Sequence, residues 1–324
     1  MTQIGEFFCN RRVLVTGGGG LIGSAFVEQL LRVGARVRTV RHQRPTALGG
    51  SVEVIEGDLR DREACLAAME GMECVVHAAG IGGGSKQVTL DAISMYTDSL
   101  LMNTQVLEAA RLAGVQRYLF VSNSSVHAKS ETPLREEDAW GETSRGEPEN
   151  ETGMVKRAGE TQCRVYARFT DMRIAIMRAG NAYGPHDNFD LEASHVVPAL
   201  IRKAVERQNP YMVWGSPAVV RDFIHTHDIA RAGLLLLAGA LPHVCYPINV
   251  ATGLSVTVEE LVGLVLRLAG HTNAVVQYDP SAPPASPAKR IDVSRMRAMG
   301  FQPQFTLEEG LRQTIEWFRK ERCG

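Results

Sequence analysis

Val13-Leu14-Val15-Thr16-Gly17-Gly18-Gly19-Gly20-Leu21-Ile22-Gly23 runs from an apolar triplet into a glycine cluster, and Ile22, Ala25, Phe26 and Leu30 then recur at helical spacing. Strand, glycine turn and helix in that order are the setting in which a dinucleotide fingerprint has physical meaning. Two registers fit. Gly18, Gly20 and Gly23 satisfy G-x-G-x-x-G, while Gly17, Gly20 and Gly23 satisfy T-G-x-x-G-x-x-G. In both, glycine permits unusual φ values and close approach of a phosphate, and the N–H groups of Leu21, Ile22 and Gly23 open the helix toward a pyrophosphate.

The cofactor is chosen at the end of the second strand, where an acid would grip a ribose 2′-hydroxyl. The segment Ala35-Arg36-Val37-Arg38-Thr39-Val40-Arg41-His42-Gln43-Arg44 carries no acid there. Cations suit a 2′-phosphate through charge-assisted hydrogen bonds, so the reading is NADP, with NAD as the alternative. Strand alternation turns Arg36 and Arg38 away from Val37 as a solvated strand end, and Arg41 is the expected contact.

The chain has 324 residues, more than a typical single domain, which favours one large α/β domain with an appended lobe. A formal charge of −1 gives no reason to expect nucleic acid or an acidic membrane as partner. No apolar run approaches the roughly 20 residues of a bilayer span, and Met1–Asn10 lacks a signal-peptide core, so a cytoplasmic protein is expected. The six cysteines show no Cys-x-x-Cys spacing, and His225-x-His227 has no third ligand nearby, so neither a disulfide framework nor a metal site is expected.

Strand-like runs at Val13–Val15, Val52–Ile55, Cys74–His77, Tyr118–Val121 and Arg173–Met177 alternate with helical patterns near 22–33, 62–70, 95–113 and 153–168. This predicts a Rossmann-type, doubly wound parallel sheet with a smaller C-terminal substrate-binding lobe, and ligands beyond the carboxyl ends of the strands. The expected division is a cofactor domain over 1–180, to which 222–252 returns with Ile248–Val250 in the sheet, and a substrate lobe over 181–221 and 253–324. The glycine-rich stretch Gly80–Lys86 and the polar segment Ser130–Glu151, with glutamates at 131, 136, 137, 142 and 147, read as loops lining the site. Pro280–Pro287 reads as a connector before a last helix, Leu307–Arg319.

Several motifs together resemble the extended short-chain dehydrogenase/reductase family, the sugar-nucleotide epimerases and dehydratases, over nearly the whole chain. They are Thr16–Gly23, Gly57-Asp58-Leu59-Arg60-Asp61, Val75-Val76-His77-Ala78-Ala79-Gly80, Asn103, Tyr118-Leu119-Phe120-Val121-Ser122, Ala182-Tyr183-Gly184-Pro185 and Arg221-Asp222-Phe223-Ile224-His225. Gly184-Pro185-His186-Asp187-Asn188-Phe189 and Ser194-His195-Val196-Val197-Pro198 resemble the GDP-L-fucose synthase branch, whose members epimerise and reduce a GDP-4-keto-6-deoxy sugar with NADPH. The resemblance implies cofactor contacts at Asp58, Leu59, Ala78, Ala79, Gly80 and Lys156. It implies substrate contacts at Asn181, His186, Lys203, Arg221 and Lys289, a GDP-sugar as partner, and a homodimer packed through the 95–113 and 153–168 helices.

The proton-transfer positions depart from the family. Relatives place a tyrosine four residues before the lysine, and here Thr152-Gly153-Met154-Val155-Lys156 keeps the lysine but not the phenol. A threonine hydroxyl is far too weak an acid to replace it and too short to reach its place. Asn123 takes the position of the family's Ser/Thr and still offers an amide donor, while Ser125 falls where the branch has an epimerisation cysteine. His195 falls on the branch's histidine and suits acid–base work near neutral pH. Two readings follow: an epimerase or reductase whose acid has moved to His195, His186 or His127, with a packed core residue as the other reading of His127; or a protein that binds both ligands without turnover.

Overall fold

The computed structural model describes residues 2–42, 51–81, 92–139, 151–241, 245–279, 281 and 289–323. After α1 (Gln3–Phe8), strand β1 (Arg12–Thr16) enters the glycine turn, and α2 (Leu21–Arg32) returns the chain to β2 (Arg36–Arg41). Then follow β3 (Glu53–Glu56), α3 (Arg62–Met69), β4 (Cys74–His77), α4 (Ala92–Leu112), β5 (Arg117–Asn123), α5 (Glu151–Phe169) and β6 (Arg173–Ala179). Each strand run read from the sequence lies on one of these strands, with β3 displaced by one residue.

Burial along the strands explains the architecture. Val13 and Val15 of β1 pack on one face and Leu14 on the other, and the same split recurs at Val76 against Val75, and at Leu119 and Val121 against Tyr118 and Phe120. Apolar side chains at both phases of a period-two element require cover on both sides of the sheet. The seven strands lie in the order β11-β6-β5-β4-β1-β2-β3, all pairs parallel, with β11 (Pro247–Val250) carrying the predicted Ile248–Val250 back to the edge of β6. The order reverses between β1 and β4, and that switch point opens the ligand crevice.

Between β6 and β11 the chain forms β7 (Asn181–Tyr183), α6 (Val196–Val205), β8 (Tyr211–Trp214), β9 (Val220–Arg221), β10 (Phe223–His225) and α7 (Thr226–Ala238). After β11 come β12 (Val256–Thr257), α8 (Val258–Ala269), β13 (Val276–Asp279), α9 (Ser294–Ala298) and α10 (Leu307–Cys323). A separate apolar cluster joins Val197, Leu200 and Ile201 of α6 to Leu261 and Val265 of α8 and to Leu311, Ile315 and Phe318 of α10.

The reading of Ser130–Glu151 as a loop needs correction over its first half. Leu134 forms a parallel bridge with Ile291, and Glu136 is 3% exposed with its carboxylate accepting the Asn249 backbone N–H at 3.0 Å. Residues 140–150 lie outside the described residues, as do 82–86 of the glycine-rich stretch, Gln43 and Arg44, and most of the proline-rich connector. Arg38 is a second correction. Instead of a solvated strand end it is 6% exposed, donating to the Ala68 and Glu70 carbonyls at 3.0 and 2.9 Å and pairing with Glu53 at 2.7 Å.

Glu160 of α5 and Arg178 of β6 form a fully buried bidentate pair, 2.9 Å at Nε–Oε1 and 2.7 Å at Nη2–Oε2. Ser122 Oγ donates to the same carboxylate at 2.6 Å, and Arg178 Nη1 donates to the Glu136 carbonyl at 2.8 Å. Helix, two strands and the 130s segment therefore converge on one charge pair. Removing one partner strands the other charge out of water. Arg178→Met is expected to lower unfolding free energy by about 3–5 kcal/mol in urea titrations, because the surviving carboxylate loses its counter-charge in a dry setting.

Candidate active site

The crevice begins at the glycine turn. Gly17 sits at φ +70°, and a Cβ there would lie 2.8 Å from the Ala79 Cα and N at the end of β4. A Cβ on Gly23 would strike the Gly17 carbonyl oxygen, and one on Gly18 would strike Thr39 Oγ1. The turn is thus pressed against β4 and β2, and its outer side is bare backbone. Gly20 caps α2 without any side-chain hydrogen bond, so the first N–H groups of the helix have no capping side chain.

Beneath the turn runs a buried polar chain. Ala79 N–H donates to Thr16 Oγ1 at 3.1 Å, Thr16 Oγ1 meets His77 Nδ1 at 2.8 Å, and His77 Nε2 meets Asn103 Oδ1 at 2.9 Å. Burial pushes the His77 pKa down to about 4. Because an amide oxygen only accepts, the neutral ring carries its proton on Nε2, which turns Asn103 Nδ2 outward. That nitrogen is buried and has no hydrogen-bond partner among the described residues.

Asn103 lines a small pocket together with Gly80, Met95, Ser99, Thr152 and Lys156. Lys156 Nζ donates to the Val121 carbonyl at 2.8 Å and lies 5.1 Å from the Phe120 ring centre, and desolvation brings its pKa down to about 8. Thr152 stands one helical turn before it on α5. The neighbouring Arg157 Nε donates to the Val126 carbonyl at 2.7 Å, so α5 is stapled to the end of β5. That end carries Asn123, whose side-chain oxygen accepts the Ser125 N–H at 2.9 Å. Its amide nitrogen is left as the outward donor. Ser125 is partly exposed on the short 3₁₀ turn Ser124–Val126.

His127 is a packed residue. It is 1% exposed, and burial first, then the Arg178 charge, lowers its pKa to about 4. An imidazole so enclosed is not presented to a ligand. His186 is also engaged elsewhere: its Nε2 faces Glu28 Oε1 at 3.4 Å, and its ring packs at a tilt against Trp317, 4.9 Å between centroids. Glu28 also takes His227 Nε2 at 2.9 Å, and these two hydrogen bonds hold its carboxyl far below the usual range. His195 differs. At the N-cap of α6 its side chain is 55% exposed, with Nδ1 3.7 Å from Asp187 Oδ1, and that carboxylate raises its pKa.

At the outer rim Arg41 pairs with Glu56, Nε to Oε1 at 2.7 Å, with both side chains solvated. Asp58 is bound by Arg60 at 2.6 Å and faced by His42 at 3.6 Å, with Leu59 buried behind it. On the opposite side Asn181 Nδ2 donates to the Asp222 carbonyl at 2.8 Å, while Arg221 Nη1 and the Lys289 backbone N–H share the Val220 carbonyl at 2.8 and 3.2 Å. Three expected substrate contacts thus come from one junction. Lys203 instead donates to the Met212 carbonyl on β8 at 2.8 Å.

Fold and site together define a dinucleotide-binding α/β protein of the short-chain dehydrogenase/reductase type. The chain belongs to the NAD dependent epimerase/dehydratase family, whose model matches residues 13–246. It is 32% identical to the dTDP-4-dehydro-6-deoxy-D-allose reductase of a Streptomyces species, over 96% of this chain and 97% of that protein. It is also 32% identical to the GDP-L-fucose synthase of Sinorhizobium fredii, over 95% of each. Among solved structures, UDP-glucose 4-epimerase of Thermus thermophilus in complex with NAD superposes with a TM-score of 0.83 at 27% identity, covering 95% of this chain and 99% of that one.

The residues here fit a dinucleotide on two counts: a Cβ is excluded from the turn at Gly17 and Gly23, and Asn103 Nδ2, in the pocket that Lys156 also lines, is buried with no partner among the described residues. Sequence reasoning passed over Glu28, Asp187, Glu160 and Arg178. Their partners lie on other elements, so no periodic signal marks them. The depressed Lys156 pKa has a measurable consequence: NAD(P)H affinity in the wild type should weaken as pH rises through about 8, where the ammonium is lost. Lys156→Met should bind more weakly and show no such pH step in fluorescence titrations.

Proposed function

We propose that this chain is an NADP-dependent epimerase or reductase acting on a nucleotide-linked 4-keto sugar, with a GDP-sugar favoured by resemblance. The observation that carries the reading is the pocket bounded by Gly80, Asn103, Thr152 and Lys156, which opens beside a glycine turn that has no room for a Cβ at Gly17 or Gly23. The kinds of substrate named for the two curated relatives agree with it. Gly17 to Gly23, with Leu21 and Ile22, would hold the pyrophosphate, Asp58 and Leu59 the adenine side, Ala78 to Gly80 the middle, and Lys156 the nicotinamide ribose. When bound, the nicotinamide supplies or accepts the hydride.

In this reading Asn181, Arg221 and Lys289 hold the substrate diphosphate, and Lys203 stands farther along the same lobe, comprising 181–221 and 253–324. Asn123 donates to the sugar carbonyl, and His195 is the acid and base. Holding reactants in line supplies much of the rate, whereas proton transfer contributes typically 10²–10⁴-fold, so loss of the phenol at Thr152 is compatible with turnover. The exposed apolar side chains Leu101 of α4 and Met154, Val165 and Phe169 of α5 suit the homodimer face.

A non-catalytic binder is the second reading. It is favoured by one observation, that Thr152 leaves the pocket without a phenol. The two separate in one assay: wild type, Thr152→Tyr and His195→Asn are mixed with NADPH and a panel of 4-keto sugar nucleotides, and absorbance and solvent-deuterium uptake are followed. Turnover in wild type that disappears in His195→Asn is the expected result. Binding of both ligands without oxidation or deuterium uptake sinks the enzyme reading.

Arg41 is proposed as the 2′-phosphate contact. Its pairing with Glu56 is a solvated one, worth little, so a phosphate can take the guanidinium over at small cost. Arg41→Met should weaken NADPH about tenfold to a hundredfold in calorimetry, the range for one lost hydrogen bond to a charged group, and leave NADH nearly unchanged.

A further inference from the structure

We propose that Asp187 is the positioning residue of His195, holding Nδ1 so that Nε2 is the ring atom that meets the substrate. This rests on the functional reading above, and deepens it by naming the atom. Nδ1 lies 3.7 Å from Asp187 Oδ1, and Asp187 is 3% exposed while the imidazole is 55% exposed. The ring therefore has one end against a buried carboxylate and the other toward solvent. Oδ1 also accepts the Asn188 N–H at 2.7 Å, whereas Oδ2 is buried with no hydrogen-bond partner among the described residues.

The carboxylate is held on both sides. His186 is fixed by Glu28 and Trp317, and Phe189 stacks on Phe318 at 4.3 Å while its carbonyl accepts from Arg202 Nη1 at 3.0 Å. His195 caps the positive end of α6, where a cation is disfavoured, so the raised affinity of its ring for a proton is the work of Asp187. The other charged groups near this loop have their own partners. Glu28 of α2 is taken by His186 and by His227 of α7, and Arg202 of α6 is taken by Glu206 and the Phe189 carbonyl.

The test is ¹⁵N-histidine NMR on the full chain, with the His195 signals assigned by their loss in His195→Asn. In wild type, the neutral His195 ring should carry its proton on Nδ1, the rarer tautomer. In Asp187→Asn its titration midpoint should fall by about one unit, as expected when an opposite charge about 4 Å away is removed. An Nε2–H tautomer in wild type, or an unmoved midpoint in a folded Asp187→Asn, overturns the proposal. Should Asp187→Asn fail to fold by circular dichroism, the wild-type tautomer decides alone. Deuterium uptake into a 4-keto sugar nucleotide is read in parallel, and its absence in wild type counts against the enzyme reading while the NMR result still judges Asp187.

Discussion

The backbone of the glycine turn pressed against the end of β4 is the constraint from which the rest follows. A Cβ at Gly17 would lie 2.8 Å from Ala79, and Gly23 abuts the Gly17 carbonyl, so β1, β4 and the start of α2 meet without intervening side chains. That contact sits where the strand order reverses, which is where a parallel sheet leaves its loops splayed apart. It makes a narrow bare-backbone floor. Thr16, His77 and Asn103 tie the floor together from below and carry donor polarity out to the pocket beside Lys156.

The site built on this floor keeps the groups that grip and alters those that move protons. Lys156 is fixed by a backbone carbonyl, and its position depends on α5 being held to β5 and β6 by Arg157 and by the Glu160–Arg178 pair. Thr152 and Asn123 carry side chains that do not ionise near neutrality. Ionisable character appears instead at the N-terminus of α6, where Asp187 and His195 face each other. Glu28 links the two regions: it belongs to the helix that begins at the glycine turn, and it anchors the residue next to Asp187 through His186.

Single residues illustrate how far the sequence could be read. The parallel sheet was legible because Val13, Leu14 and Val15, and their counterparts in β4, β5 and β6, are apolar at both phases, a pattern set by local covalent geometry. His127 was not. Following a strand it could face a ligand or a core, and only the packing of Arg178 and Asn249 around it decided for the core. Arg38 read as solvated because alternation gives a side chain's face but not what covers that face, and here the carbonyls at the end of α3 cover it.

By itself the sequence determined the element types, the glycine cradle and the identity of each side chain offered to the site, because these depend on residue type and on spacings of two to four positions. Only the tertiary structure decided which ionisable groups are paired. Asp187 with His195, Glu28 with His186 and His227, and Glu160 with Arg178 are joined across 8 to 199 positions of chain. Proton affinity depends on burial and on charges within a few ångströms, and separation along the chain does not encode either.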